Sequence, residues 1–439
     1  MKPALRAMAG QARQGGDSKA HHARASSPAG AGARGAKPAK ARIAVVSPFV
    51  DKRHGTERCL AEQIERLSHD YEIHLFSSRV EDIETSRFAW HRVPEIAGPH
   101  LAKYVWWFAA NHVWRWREQV KAGEAFPVVY SPGVNCFDAN VILVHHVFAE
   151  HRQRLREQLR LRFRHFGQWP RLIHRRLLYA LIGWLERIVY RPRRAALTAI
   201  SRAVAAELEQ RFRPGETVSV IYHGVDPAAF NPDRCERQRK DARRRFGFRN
   251  EEFIVLLIGN DWIKKGLACL IASLAKIGDL PVSALVVGND SPEPYLDQAR
   301  RLGIGRSLHF AKATADVSQF YAAADLCAAP SLYDPFGLPV LEAMACGLPV
   351  IASRAMGASE LVADGENGLI LEDPRNAGDL SAMIRRLYEN AELRCRLGRA
   401  ASATTRNFTW DANAERVAGL FEDVLSRNKR SRKAATGKT

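Results

Sequence analysis

The sequence predicts an α/β protein made of two doubly wound parallel sheets in tandem, and three observations predict it. The chain's 439 residues exceed what one ordinary hydrophobic core holds. From Ala41 onward, short apolar runs alternate with amphipathic stretches, the rhythm of strands joined by crossover helices. That rhythm is interrupted by the Arg- and Pro-containing stretch around Arg211–Gly215, where one series ends and a second begins.

Taken in order, Ile43–Ser47 is the first expected strand. A loop holding Gly55 and Thr56 follows, and then a helix over Glu57–Leu67 with Leu60, Ile64 and Leu67 on one face. Glu72–Phe76, Val128–Tyr130 and Val141–Val144 are further strands, and Ala196–Ile200 is expected to close the sheet, with Ser201 capping the next helix. The second series reads as strands at Val218–Tyr222, Phe253–Ile258, Ala284–Val287, Leu308–Phe310, Leu326–Ala328 and Val350–Ala352. A last helix is expected from Thr409, its N-cap, to Arg427. The domain expectation is therefore a basic disordered tail over 1–40, one Rossmann-like domain over 41–215, a second over 216–408, the final helix over 409–427 and a basic tail over 428–439.

Composition excludes several classes. Apolar residues make up 46% of the chain, yet no run approaches the eighteen or more uncharged apolar residues of a membrane span. The seven cysteines are scattered and form no CxxC pair, which argues against a disulfide framework and a structural zinc site and fits a reducing cytosol. The first forty residues lack the apolar stretch of a secretory signal.

Net charge is +19, and its location is informative. Residues 1–40 carry +7, residues 427–439 carry +6, and the stretch from His151 to Arg194 carries +11 through thirteen Arg against Glu157 and Glu186, so the rest is mildly acidic. Local basicity of this kind points to an anionic surface as partner. The aromatic stretch Lys103–Trp116 and the Arg-rich 151–194 together suit an amphipathic segment lying on anionic lipid. An ordinary core helix for the former and an anionic acceptor groove for the latter are the alternatives. A nucleic-acid partner is not expected, because no recognised nucleic-acid motif accompanies the charge.

The chemistry concentrates in Pro330–Ser353, PSLYDPFGLPVLEAMACGLPVIAS. A loop opens a short helix there, Gly347 ends it and a strand follows. Gly337 and Leu338 stand at the helix start, and Pro339 suits its first turn. Free amides and the positive end of the helix dipole make such a start a diphosphate site. Asp334 precedes it and Glu342 lies one to two turns inside, so both carboxylates can accept hydroxyls of a ligand held there. Lys264 and Lys265 follow a strand and precede a glycine-started helix, a position from which an ammonium neutralises a leaving diphosphate. His145 and His146 end the apolar strand VILVHH, and the period of two along a strand aims only one of them at a cleft. That one would stabilise the transition state or orient an acceptor, a plain core or surface histidine being the alternative. Gly55 and Thr56 lie in the loop after the first strand, where a plain turn glycine is one reading. No GxGxxG follows the first strand and no DxD is present to hold a divalent metal, so no cofactor and no metal are expected.

These residues resemble the family-4 retaining glycosyltransferases. Asp334 to Glu342 resembles the family's E-x7-E signature, and His223-Gly224-Val225-Asp226, Lys264-Lys265-Gly266 and His145-His146 extend the likeness over roughly residues 42–425. GNDWIKKG and LVVGND look most like the branch that includes the glucosyltransferase of the lipopolysaccharide inner core. The resemblance implies a GT-B fold, two Rossmann-like domains facing across a cleft. It also implies retaining transfer from a nucleotide diphosphate-sugar to a cell-envelope glycan or glycolipid on the cytoplasmic face of a membrane. In the family the first acid contacts the donor sugar, the second binds ribose hydroxyls, a basic pair neutralises the diphosphate, and small residues after the first strand, here Gly55 and Thr56, let the backbone approach the diphosphate or acceptor. Asp334 stands here where the family has Glu, one methylene shorter, which bears on the identity or pose of the sugar. A sugar-nucleotide epimerase or phosphorylase would reuse the same diphosphate site.

Overall fold

The computed structural model describes residues 40–148, 169–314 and 316–436. Its strands are β1 Arg42–Val46, β2 Phe49–Val50, β3 Glu72–Ser77, β4 Arg79–Val80, β5 Ala89–Arg92, β6 Val128–Ser131, β7 Val141–Val144, β8 Ala196–Ala199, β9 Ser219–Val220, β10 Phe253–Ile258, β11 Val282–Val287, β12 Leu308–Ala311, β13 Leu326–Ala329, β14 Val350–Ser353 and β15 Leu369–Leu371. The helices are α1 Gly55–Leu67, α2 His100–Ala122, α3 Trp169–Tyr190, α4 Arg202–Arg211, α5 Pro232–Arg245, α6 Leu267–Ala275, α7 Glu293–Arg301, α8 Ser318–Ala323, α9 Leu338–Ala345, α10 Ala377–Glu389, α11 Ala391–Thr405 and α12 Trp410–Thr436.

Seven strands form one sheet in the order β5-β3-β1-β6-β7-β8-β9, and six form a second in the order β12-β11-β10-β13-β14-β15. All pairings in both sheets are parallel. The central strands are buried on both faces, which is why they read as continuous apolar runs such as FIVLLI and VSALVV rather than as alternating patterns. In each sheet the strand order reverses beside the first strand, between β1 and β6 and between β10 and β13. Ligands of open α/β sheets bind beyond the strand ends at that reversal. The expected architecture of two tandem Rossmann-like domains is the one observed.

Several boundaries differ from the expectation. The stretch Val218–Tyr222 does not open the second sheet: β9 pairs with β8 through Thr198↔Ser219 and Ala199↔Val220, so the first domain runs past residue 216 and Ala196–Ile200 does not close its sheet. A two-residue strand carries no pattern of its own, and only its neighbour decides where it belongs. β5 and β15 were missed for a similar reason. AWHR is an edge strand with no apolar run, and LIL is three residues long. The helix expected to start at Glu57 begins two residues earlier, so Gly55 and Thr56 lie in its first turn rather than in a loop.

Capping was legible. Ser201 Oγ accepts from the Val204 amide at 3.2 Å and Thr409 Oγ1 from the Ala412 amide at 3.1 Å. The final helix continues beyond Arg427 to Thr436, because Asn428 to Lys433 contains good helix formers and no Pro or Gly stands between Arg427 and Gly437. This helix returns to the first domain. Gln63 donates to Asn413 Oδ1 at 2.7 Å, the Tyr71 hydroxyl donates to Glu422 at 2.8 Å, and the Phe421 ring meets Tyr71 and Tyr130 edge-on.

No helix of the described residues is long and apolar enough to cross a membrane. The aromatic stretch forms part of α2, with Trp107 and Phe108 buried and Trp106 and Trp116 exposed, so it is neither wholly a core helix nor wholly a surface one. Of the arginine-rich stretch, residues 149–168 lie outside the described residues. Its remainder forms α3, on which Arg175 and Arg176 are exposed.

Candidate active site

The cleft between the domains is built by the loops at both reversal points. After β10 the chain turns through Gly259 to Lys265 and enters α6 at Gly266, whose φ is +74°. A Cβ at Gly266 would lie 1.9 Å from the Pro330 carbonyl oxygen, so two site loops cross in contact there and only glycine permits it. After β13 the chain runs from Pro330 to Gly337 and enters α9. Gly337, at φ +94°, presses against Met356, where a Cβ would meet Cε at 2.2 Å. The first amides of α6 are taken by its own loop, Gly266 N–H bonding the Ile263 carbonyl and Leu267 N–H that of Trp262, whereas Gly337, Leu338 and Pro339 at the start of α9 open on a cavity in the cleft.

That cavity has a volume of about 440 Å³. Nine of the ten residues expected from sequence line it: Gly55, Thr56, His145, His146, Lys265, Asp334, Gly337, Leu338 and Glu342. Lys264 does not. Its ammonium pairs with Asp261 at 2.7 Å and it lines an adjoining cavity of about 330 Å³ together with Lys265 and Asp334.

The two carboxylates are held separately. Lys265 Nζ donates to Asp334 Oδ2 at 2.6 Å, with both side chains mostly buried. Glu342 is 3% exposed and accepts from Arg58 Nη1 at 2.6 Å and from the Tyr321 hydroxyl at 2.6 Å. Arg58 comes from α1 in the first domain, so this ion pair crosses the cleft. It was not anticipated: a contact spanning 284 positions leaves no trace in local spacing.

Both histidines line the cleft, contrary to the expectation that only one would. β7 ends at Val144, so the alternation of a strand does not govern the two residues after it. His145 is buried with Nδ1 unpartnered, and its ring lies 5.2 Å from that of His223. His146 is half-buried, its ring centroid 4.2 Å from that of Phe148. Burial pushes His223 down to about 3 and His145 well below the usual histidine value, so both are neutral near pH 7. With the thiol of Cys59, whose pKa burial pushes up, they bring three ligand-type atoms within 4.8 Å of one another. This is the set with metal-like spacing among the described residues, one ligand short of a closed zinc site.

Glu57 also escaped the sequence reading. It lines the cleft and the neighbouring cavity of the first domain, and no other side chain of the described residues pairs with it. Burial, the largest influence, raises its pKa above the usual carboxylate value. Its position one residue beyond Thr56 was the only available signal.

Two Rossmann-like sheets facing across a cleft are the GT-B arrangement. Residues 238–404 match the family described as "Glycosyl transferases group 1". Among curated proteins, the D-inositol 3-phosphate glycosyltransferase of Corynebacterium glutamicum is 29% identical over 222 residues, which are 48% of this chain and 53% of that protein. The lipopolysaccharide glucosyltransferase WaaG of Escherichia coli is 29% identical over 182 residues, 41% of this chain and 49% of that protein. The chain thus spans about half the length of the curated relatives it matches. The crystal structure of WaaG superposes with a TM-score of 0.70 at 20% identity, covering 86% of this chain and 99% of WaaG. Anabaena HepE in complex with UDP and glucose superposes with a TM-score of 0.63 at 21% identity, covering 87% of this chain and all of HepE. These two likenesses establish the fold.

Proposed function

We propose that the protein is a retaining glycosyltransferase that moves a hexosyl group from a nucleotide diphosphate-sugar to a cell-envelope glycan or glycolipid. The observation that carries this reading is the convergence of Lys265, Asp334 and the N-terminus of α9 at the reversal point of the matched domain. The binding of UDP by HepE and the activities named for the relatives support the same donor class.

In this reading the diphosphate lies on the α9 amides with Lys265 beside it, and Asp334 exchanges part of its ion pair for a donor-sugar hydroxyl. The Glu342 carboxylate, oriented by Arg58 and Tyr321, accepts ribose hydroxyls. The bond from the anomeric carbon to the diphosphate oxygen breaks and the bond to the acceptor oxygen forms on the same face, giving retention. The acceptor proton passes to the departing phosphate. Lys265 stabilises the charge that develops there. His145, which is neutral, or His146 orients the acceptor hydroxyl together with the Glu57 carboxylate. Transfer needs no metal or organic cofactor in this scheme.

The site of action we propose is the cytoplasmic face of a membrane, with the protein attached peripherally. Nine of the thirteen exposed large apolar side chains of the described residues lie on α2 and α3, Trp116 and Trp184 among them, and Arg175 and Arg176 share α3. Thermal-shift screening against UDP-, GDP- and ADP-sugars tests the donor assignment, since a ligand that binds only the folded state raises the midpoint. A stabilising nucleotide-sugar whose effect disappears in Lys265→Ala is the expected result. No shift with any of them removes the reading. Product analysis separates transfer from epimerisation, which requires no acceptor.

A further inference from the structure

The first domain holds a second cavity, of about 570 Å³, on the far side of Thr56, Glu57, His145 and His146 from the donor cleft. Those four residues line both spaces, so the two meet at the point where an acceptor hydroxyl must be presented. Its volume falls within the range of roughly 300–1,000 Å³ typical of small-molecule sites. Its lining is mixed, with Arg79, Glu95, Lys103 and Asn135 on it, but more of the wall is apolar than polar. Phe49, Tyr104, Trp106, Trp107, Leu178 and Ile182 contribute aromatic and aliphatic surface from β2, α2 and α3. The indole N–H of Trp107, 5% exposed, has no hydrogen-bond partner. Isolated sugars are recognised by many hydroxyl-directed hydrogen bonds, whereas walls of this kind favour methylene groups. The same two helices carry the exposed apolar side chains of the outer surface, so apolar character continues from the cavity wall to the exterior.

We propose that this cavity binds the aliphatic part of the acceptor: the acceptor is a sugar carried on a hydrocarbon chain, and the chain lies between α2 and α3 while the sugar hydroxyl reaches the portal at Glu57 and His145. The proposal rests on the glycosyltransferase reading for the role of the hydroxyl, but the binding of the chain does not depend on it. The cavity selects acceptors by their anchor, and a free oligosaccharide with the same reacting sugar is a poor acceptor.

The test is calorimetric titration of the full chain with n-alkyl β-glucosides from butyl to octyl, kept below their micellar concentrations, with UDP-, GDP- and ADP-glucose titrated in parallel. Burial of each added methylene is expected to tighten binding about fourfold until the cavity is filled. Leu178→Gln and Trp106→Ala should each flatten that dependence while leaving nucleotide-sugar affinity unchanged. Trp106 is 39% exposed, so its replacement keeps the variant folded even where Leu178→Gln disturbs packing. Affinity independent of chain length overturns the proposal. So does a length dependence that survives both substitutions, since the chain then binds elsewhere. Absence of nucleotide-sugar binding with the length dependence intact would instead sink the glycosyltransferase reading and leave the cavity as a binding site for alkyl chains.

Discussion

Replacing both partners of the Arg58–Glu342 pair should cost no more than replacing either one. The Nη1–Oε1 distance is 2.6 Å, and the side chains are 19% and 5% exposed. At an effective dielectric of about 20, charges some 4 Å apart attract by about 4 kcal/mol, most of which offsets the desolvation of the two ions. Removing one partner leaves the other buried and unpaired, which costs about 3–5 kcal/mol. Arg58→Met retains much of the aliphatic stem, and Glu342→Gln retains the shape and the contact with the Tyr321 hydroxyl. Each single variant is expected to lose about 3 kcal/mol in urea unfolding. The double variant should lose about the same rather than the sum, a coupling of about 3 kcal/mol. Because α1 and α9 belong to different domains, the measurement also reports on the interface that shapes the cleft. Losses in the double variant that equal the sum of the singles to within about 0.5 kcal/mol would refute the reasoning, because independent sites add to that tolerance.

Lys265→Ala should lower transfer more than tenfold, about 1.4 kcal/mol of transition-state stabilisation, in a variant that remains folded; near-normal kcat/KM would remove Lys265 from the site. Since burial raises the Glu57 pKa and the carboxylate is the form that accepts a hydrogen bond from the acceptor hydroxyl, activity should fall as pH drops through a value above 4.5, and Glu57→Gln should lower the rate and abolish that limb. An unaltered pH profile in the variant would exclude Glu57. With its pKa depressed to about 3 in the folded state, His223 contributes stability that is complete above the unfolded value near 6.5 and declines as pH falls towards 3, by about 1.4 kcal/mol per pH unit. Urea midpoints at pH 7.5 and 5 should therefore differ, and differ less in His223→Phe, which keeps the aromatic packing against Phe336 and Trp410. The protein should co-sediment with anionic vesicles at low salt and detach as salt screens the charge; equal binding to neutral vesicles would contradict the electrostatic part of the attachment.

What the sequence determined by itself is whatever neighbouring residues decide among themselves. The buried parallel strands announce themselves as apolar runs because both faces are covered. Ser201 and Thr409 announce helix starts because a cap bonds within three residues. The loop, helix and strand of Pro330–Ser353 are legible because the phosphate-type cradle, its glycine and both acids lie within one turn-and-helix unit. Tertiary structure alone decided the rest. β9 joins the first sheet because β8 offers it an edge, and α1 starts early because no proline or side-chain cap fixes its end. Both histidines face the cleft because the chain leaves the strand before reaching them. Arg58 meets Glu342, and Glu57 sits at the portal between two cavities, only because two domains close over one another. A long-range pairing depends on the position of a partner hundreds of residues away, and no periodicity along the chain encodes that distance.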